Sequence, residues 1–162
     1  MKIRYEATAA EISDVARSRA SSALAEARVS VPHGSEISLA RELHAWDPQA
    51  PAFDAWSRFV ATYGGMVLAI RGKPYFDATT PGFRTALENV DPRDVVEWAA
   101  LVGEDGLLPV AQGHLECVWL IGSSGRLWYV FPWAEAVGLS DDFALEVARF
   151  EQRALDMTPA TK

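Results

Sequence analysis

The stretch HLECVWLIGSSGRLWYVF, residues 114–131, is the most regular part of the chain and indicates its fold class. Two apolar runs flank the turn residues Gly122-Ser123-Ser124-Gly125, so we expect a β-hairpin formed by His114–Ile121 and Arg126–Phe131. Alternation along the first strand predicts one face with Leu115, Cys117, Trp119 and Ile121, and a second with His114, Glu116, Val118 and Leu120. A four-residue turn makes Trp119 and Trp128 cross-strand neighbours.

Helical patterns dominate the chain before this hairpin. Thr8 and Glu11 have the spacing of a capping box, which predicts a helix ending near Val31-Pro32. An aromatic face predicts a second helix over Phe53–Tyr63, closed by Gly64-Gly65. A further helix is predicted over Asp91–Val102, with Pro92 in its first turn and Gly103 after its end.

Short strands and loops occupy the stretches between these helices. The sequence predicts strands over Met66–Ile70 and from Tyr75, a loop around Thr80-Pro81-Gly82, and a strand beginning near Leu107. A last helix is expected to run through Phe143 and Phe150, capped by Ser140 or Asp141.

This order of elements favours a single α+β domain over residues 1–162, with helices packed on a largely antiparallel sheet. The helices come first and the strands cluster later in hairpin connections, whereas a doubly wound fold would alternate the two. A chain of 162 residues suits one hydrophobic core. Residues 1–50 are expected to form an N-terminal helical region, and residues 157–162 a frayed tail.

The composition predicts a folded, cytoplasmic protein. Hydrophobic residues make up 49% of the chain, which suffices for a packed core. The sequence has no apolar run of the length that a membrane span needs, and the N-terminus lacks the apolar core of a signal peptide. The single cysteine, Cys117, cannot form an internal disulfide, which agrees with a reducing compartment.

The negative charge is concentrated in the C-terminal half. Residues 1–81 carry nine basic and nine acidic side chains, whereas residues 82–162 carry six and thirteen, which accounts for the net charge of −7. Nucleic-acid binding requires a basic surface, so this asymmetry disfavours it and favours a cationic partner. A role in solubility alone explains the charge equally well.

The residue patterns do not indicate an enzyme, a cofactor site or a metal site. His33, His44 and His114 stand outside any metal-binding array, and the sequence has no glycine-rich phosphate loop. On a strand His114 and Cys117 point to opposite faces, which argues against a nucleophile–base pair.

Three segments, in this order, resemble the SUKH superfamily, with the closest likeness to its third subgroup. They are FVATYGG at 59–65, GEDGLLPVAQG at 103–113 and LIGSSGRLWYV at 120–130. The resemblance covers roughly residues 53–150. The chain departs from the subgroup at Ala111, where glycine is usual, and at Trp46-Asp47-Pro48, which only loosely matches a Gly-Trp-x-Pro element.

The resemblance implies an α+β fold with helices on a mixed sheet, and no catalytic residues. Bacterial members of the superfamily are largely immunity proteins that neutralise polymorphic toxins, many of which are nucleases. We therefore expect this chain to bind a cognate toxin with a cationic surface. The alternative is a regulatory or scaffolding protein without a toxin partner.

For the immunity role we expect acidic residues of the C-terminal half and one or two exposed aromatics to contact the toxin. Trp133 is the expected aromatic because it follows Pro132 at the end of the predicted hairpin. The expected partner-binding residues are Glu104, Asp105, Trp133, Glu135, Asp141 and Asp142.

Overall fold

The fold is a mixed, largely antiparallel sheet with helices on both faces, which confirms the predicted α+β class. The computed structural model describes residues 2–4, 9–29, 43, 51–70, 72–131, 136–140 and 143–156. The strands within these ranges are β1 (Lys2–Arg4), β2 (Val67–Ile70), β3 (Lys73–Asp77), β4 (Leu107–Gly113), β5 (Val118–Gly122), β6 (Leu127–Phe131) and β7 (Ala136–Ser140). They form one sheet in the order β1-β7-β6-β5-β4-β3-β2. β1 pairs in parallel with β7, and every other pair is antiparallel.

The helices divide between the two faces of this sheet. They are α1 (Asp14–Val29), α2 (Phe53–Tyr63), α3 (Thr80–Glu88), α4 (Pro92–Val102) and α5 (Phe143–Asp156). Helices α1, α2 and α5 pack on the face that carries Trp119 and Tyr129. Helix α4 packs on the opposite face, against Val118, Leu120 and Trp128. Among the described helices, none combines the length and the apolar character needed to cross a bilayer.

The central strands β5 and β6 are buried on both faces, which explains their continuous apolar runs. The predicted alternation is confirmed from Cys117 to Ile121. Cys117, Trp119 and Ile121 belong to one core cluster, and Val118 and Leu120 to the other.

The predicted pairing of Trp119 with Trp128 is wrong by one residue. Trp119 lies opposite Tyr129, and Leu120 lies opposite Trp128, so the two tryptophans face different layers. The loop has three residues rather than four, because Gly122 accepts a hydrogen bond from the N–H of Gly125 and donates its own to the carbonyl of Arg126. Gly125 is left-handed (φ 89°), as a type I turn with a glycine bulge requires.

The strand predicted from His114 begins only at Val118. Residues His114–Glu116 form a 3-10 turn instead, in which the N–H of Cys117 donates to the carbonyl of His114. Glu116 has a positive φ of 62°, which an extended strand does not allow.

The loop predicted around Thr80-Pro81-Gly82 is the first turn of helix α3. The Thr79 hydroxyl accepts a hydrogen bond from the Gly82 N–H, and the Asp77 carboxylate accepts from both the N–H and the hydroxyl of Thr79. Proline is tolerated in a first helical turn because its missing N–H has no partner there. The Thr-Pro pair therefore starts a helix here instead of preventing one.

The helices predicted over Phe53–Tyr63 and Asp91–Val102 and through Phe143 and Phe150 are confirmed, and the first helix starts later than predicted. Ser140 ends β7 instead of capping the last helix, and Asp141 lies outside the described residues. The region of residues 1–50, predicted to be helical, also contains strand β1.

Helix α2 covers Phe53–Tyr63, and the Trp56 Nε1–H donates to the carbonyl of Pro109 at 2.8 Å, which joins the helix to β4. Helix α1 begins at Asp14, where the Ser13 hydroxyl accepts from the Ala16 N–H. Thr8 and the predicted helix end at Val31-Pro32 lie outside the described residues.

Candidate functional site

Helix α4 is fixed at both ends by its own sequence. The Asp91 carboxylate accepts a hydrogen bond from the Arg93 N–H at 2.8 Å, and Pro92 occupies the first turn. At the other end Gly103 adopts a left-handed conformation (φ 77°) that ends the helix. Val95, Trp98 and Ala99 are buried against the sheet, so the remaining positions of the helix define an outward surface.

Glu104, directly after this helix, ties α4 to the β5–β6 turn. Its carboxylate accepts hydrogen bonds from the Ser124 N–H at 3.0 Å, the Ser123 hydroxyl at 3.2 Å and the Trp128 Nε1–H at 3.3 Å, and also from the Ser124 hydroxyl. Gly122 makes this approach possible, because a β-carbon at that position would overlap the carboxylate. The sequence does not predict this contact, since its two sides are about twenty residues apart.

The hydrogen bonds to Glu104 outweigh its partial burial. Burial alone raises the pKa of a carboxyl group, whereas donors from Ser124, Trp128 and Ser123 favour the charged form and leave the pKa of Glu104 below its usual value. The Glu104 carboxylate is therefore ionised and engaged within the fold.

Asp105, its neighbour, is oriented differently. Its backbone N–H donates to the Ser123 hydroxyl at 3.1 Å, but the residue is exposed. The structure thus brings the two predicted contact residues together at one end of α4. It gives Glu104 an internal role and leaves the Asp105 side chain on the surface.

The outward surface of α4 combines apolar and charged side chains. We call it the α4 face and define it by Arg93, Val96, Glu97, Ala100 and Leu101, all of which are exposed. Val96 retains 70% of its accessible surface and Leu101 48%. Residues four apart are neighbours on a helix, so Val96 lies next to Ala100 and Glu97 next to Leu101. The sequence indicates this exposure, because Val96 and Leu101 fall outside the core-facing spacing of Val95, Trp98, Ala99 and Val102.

Negative charge lies on the α4 face and beside it. Residues 91–105 contain five carboxylates and one arginine, and of these carboxylates Asp94, Glu97 and Asp105 are exposed. Arg93 pairs with Asp91 at 3.1 Å, and this hydrogen-bonded pairing lowers the pKa of Asp91. The one basic side chain of the segment is therefore offset by an adjacent carboxylate.

The other four predicted contact residues, Trp133, Glu135, Asp141 and Asp142, lie outside the described residues. Their expected role stays a prediction.

A separate polar cluster is buried beneath α5. The Arg149 guanidinium donates to the Glu146 carboxylate at 3.1 and 3.3 Å and to the Tyr129 hydroxyl at 2.9 Å. Burial and the nearby Glu146 charge raise the pKa of the Cys117 thiol, and the same two causes raise the pKa of the Tyr129 hydroxyl. A buried thiol in this protonated state is a poor nucleophile.

The remaining chemistry-bearing side chains are dispersed. His114 contacts the ring of Tyr75, with 5.1 Å between centroids, and His33 and His44 lie outside the described ranges. In the part of the chain that the structure describes, no group of three or more His, Cys, Asp and Glu side chains is arranged to hold a metal ion. A cavity of about 420 Å³ between α1, α2 and α5 is lined mainly by small side chains such as Ala20, Ala25 and Ala148.

No family model, curated protein or solved structure matches the chain.

Proposed function

We propose that this protein is an immunity protein that binds a cognate bacterial toxin stoichiometrically and neutralises it by covering a cationic surface. A nuclease toxin suits this partner, because it presents positive charge to its nucleic-acid substrate. An acidic inhibitor that occupies such a surface gains association rate from electrostatic steering.

The observation that carries the proposal is the acidic segment 91–105. It holds five carboxylates against one arginine, and Asp94, Glu97 and Asp105 are exposed on a helix and turn that the fold fixes in place. A helix and turn held in place by the fold lose little backbone entropy when a partner binds. The segment is therefore suited to recognising a basic protein.

The resemblance to SUKH proteins supports the proposal from a second direction. An α+β fold with helices on a mixed sheet is what that resemblance implies, and the chain has such a fold. The three segments that carry the resemblance span the turn from α2 to β2, the loop and strand from Gly103 to Gly113, and the β5–β6 hairpin.

Co-expression with candidate toxin domains encoded by the adjacent genes tests the proposal. We expect survival of the host and co-purification of a stoichiometric complex that weakens as salt concentration rises. Glu97→Lys with Asp105→Lys should weaken the complex, whereas Glu26→Lys, an exposed reversal on α1, should not.

Death of the host with no complex at any salt concentration would contradict the proposal. That outcome would favour a regulatory or scaffolding role without a toxin partner. Survival with a complex that is insensitive to both salt and charge reversal would contradict the electrostatic basis alone.

A further inference from the structure

We draw no further inference here: the strongest candidate, the open cavity of about 420 Å³ between helices α1, α2 and α5, is lined mainly by small apolar side chains and by the exposed Arg17, and nothing in the part of the chain that the structure describes shows what covers or fills it.

Discussion

Two adjacent carboxylates, Glu104 and Asp105, have different roles in this protein. Glu104 accepts hydrogen bonds from the β5–β6 turn, and Asp105 is exposed. The sequence predicts both as partner contacts and offers no means of telling them apart. The distinction depends on Ser123 and Ser124, which reach Glu104 only once the sheet has formed.

Replacing Glu104 tests its internal role. We expect Glu104→Gln to lower the free energy of unfolding by about 1–3 kcal/mol near pH 7, because it removes hydrogen bonds to a charged acceptor. Asp105→Asn is the control and should change stability by less than about 0.5 kcal/mol, as surface substitutions usually do. Urea unfolding of both variants provides the measurement.

The stability lost in Glu104→Gln should depend on pH in a defined direction. Folding holds the pKa of Glu104 below its usual value. The stabilisation by the ionised Glu104 carboxylate is therefore fully present above the pKa of the unfolded chain, and it is lost as pH falls through the pKa of the folded protein. The difference in the free energy of unfolding between the unmodified protein and Glu104→Gln should therefore decrease as the pH is lowered. A difference in the free energy of unfolding that stays constant down to about pH 3 would show that the ionised Glu104 carboxylate does not stabilise the fold.

Gly122 and Glu104 should behave as a coupled pair. When Glu104 is present, Gly122→Ala displaces its carboxylate from its hydrogen bonds. We therefore expect this substitution to lower the free energy of unfolding by about 1–3 kcal/mol. In a Glu104→Ala background the same change should cost much less. A double-mutant cycle from urea denaturation measures the difference, and strict additivity would rule out the coupling.

At the scale of an element, the β5–β6 hairpin shows how one turn residue sets the pairing of two strands. The loop length determines whether Trp119 faces Tyr129 or Trp128, and a shift of one residue moves every following side chain to the other face. The sequence predicts the hairpin correctly, but the first strand begins at Val118 rather than at His114. It does not distinguish a three-residue from a four-residue loop, because Gly122-Ser123-Ser124-Gly125 is compatible with both.

Substitutions at Gly125 measure how much the left-handed backbone conformation of this residue contributes to the stability of the hairpin. Its φ is 89°, and an added β-carbon would meet no atom within 4 Å, so only backbone strain is at issue. We expect Gly125→Val to lower the free energy of unfolding by about 1–2 kcal/mol or more. Gly125→Asn should lower it clearly less, since asparagine tolerates left-handed conformations. Thermal unfolding of the two variants gives the comparison, and equal losses would contradict it.

Helix α3 shows why some elements are not predicted. Proline and glycine near its start are typical of a loop, and the competing signal comes from side-chain capping by Thr79 and Asp77. By contrast, Phe53–Tyr63 and Asp91–Val102 combine a regular apolar spacing with terminal glycines, so their bounds follow from sequence.

At the scale of the whole molecule, the buried Glu146–Arg149 pair joins α5 to the sheet through Tyr129. We expect Arg149→Met to lower the free energy of unfolding by about 3–5 kcal/mol, because it leaves a buried carboxylate without this cation. Arg58→Met, at an exposed position of helix α2, should cost less than about 1 kcal/mol. Urea denaturation compares them, and equal losses would show that the buried pair is not stabilising.

The sheet edge formed by β1 was also beyond prediction. Lys2–Arg4 is too short and too polar to indicate a strand, and it becomes one by pairing with β7. Such a pairing depends on the far end of the chain rather than on local pattern. The α4 face was partly predictable, because charge counts locate the acidic half of the chain and the core-facing spacing of α4 leaves Val96 outside. The contact of Glu104 with Ser123 and Ser124 was not predictable, because it forms only in the folded sheet.

The parallel pairing of β1 with β7 also orders events during synthesis. Lys2 lies opposite Ala136, 134 positions later, so this part of the sheet cannot close until nearly the whole described chain has left the ribosome. At translation rates of about 5–20 residues per second, the first strand waits on the order of ten seconds for its partner. Until β7 is available, the backbone donors and acceptors of β1 are open to pairing with other strands, as those of any unpaired strand are.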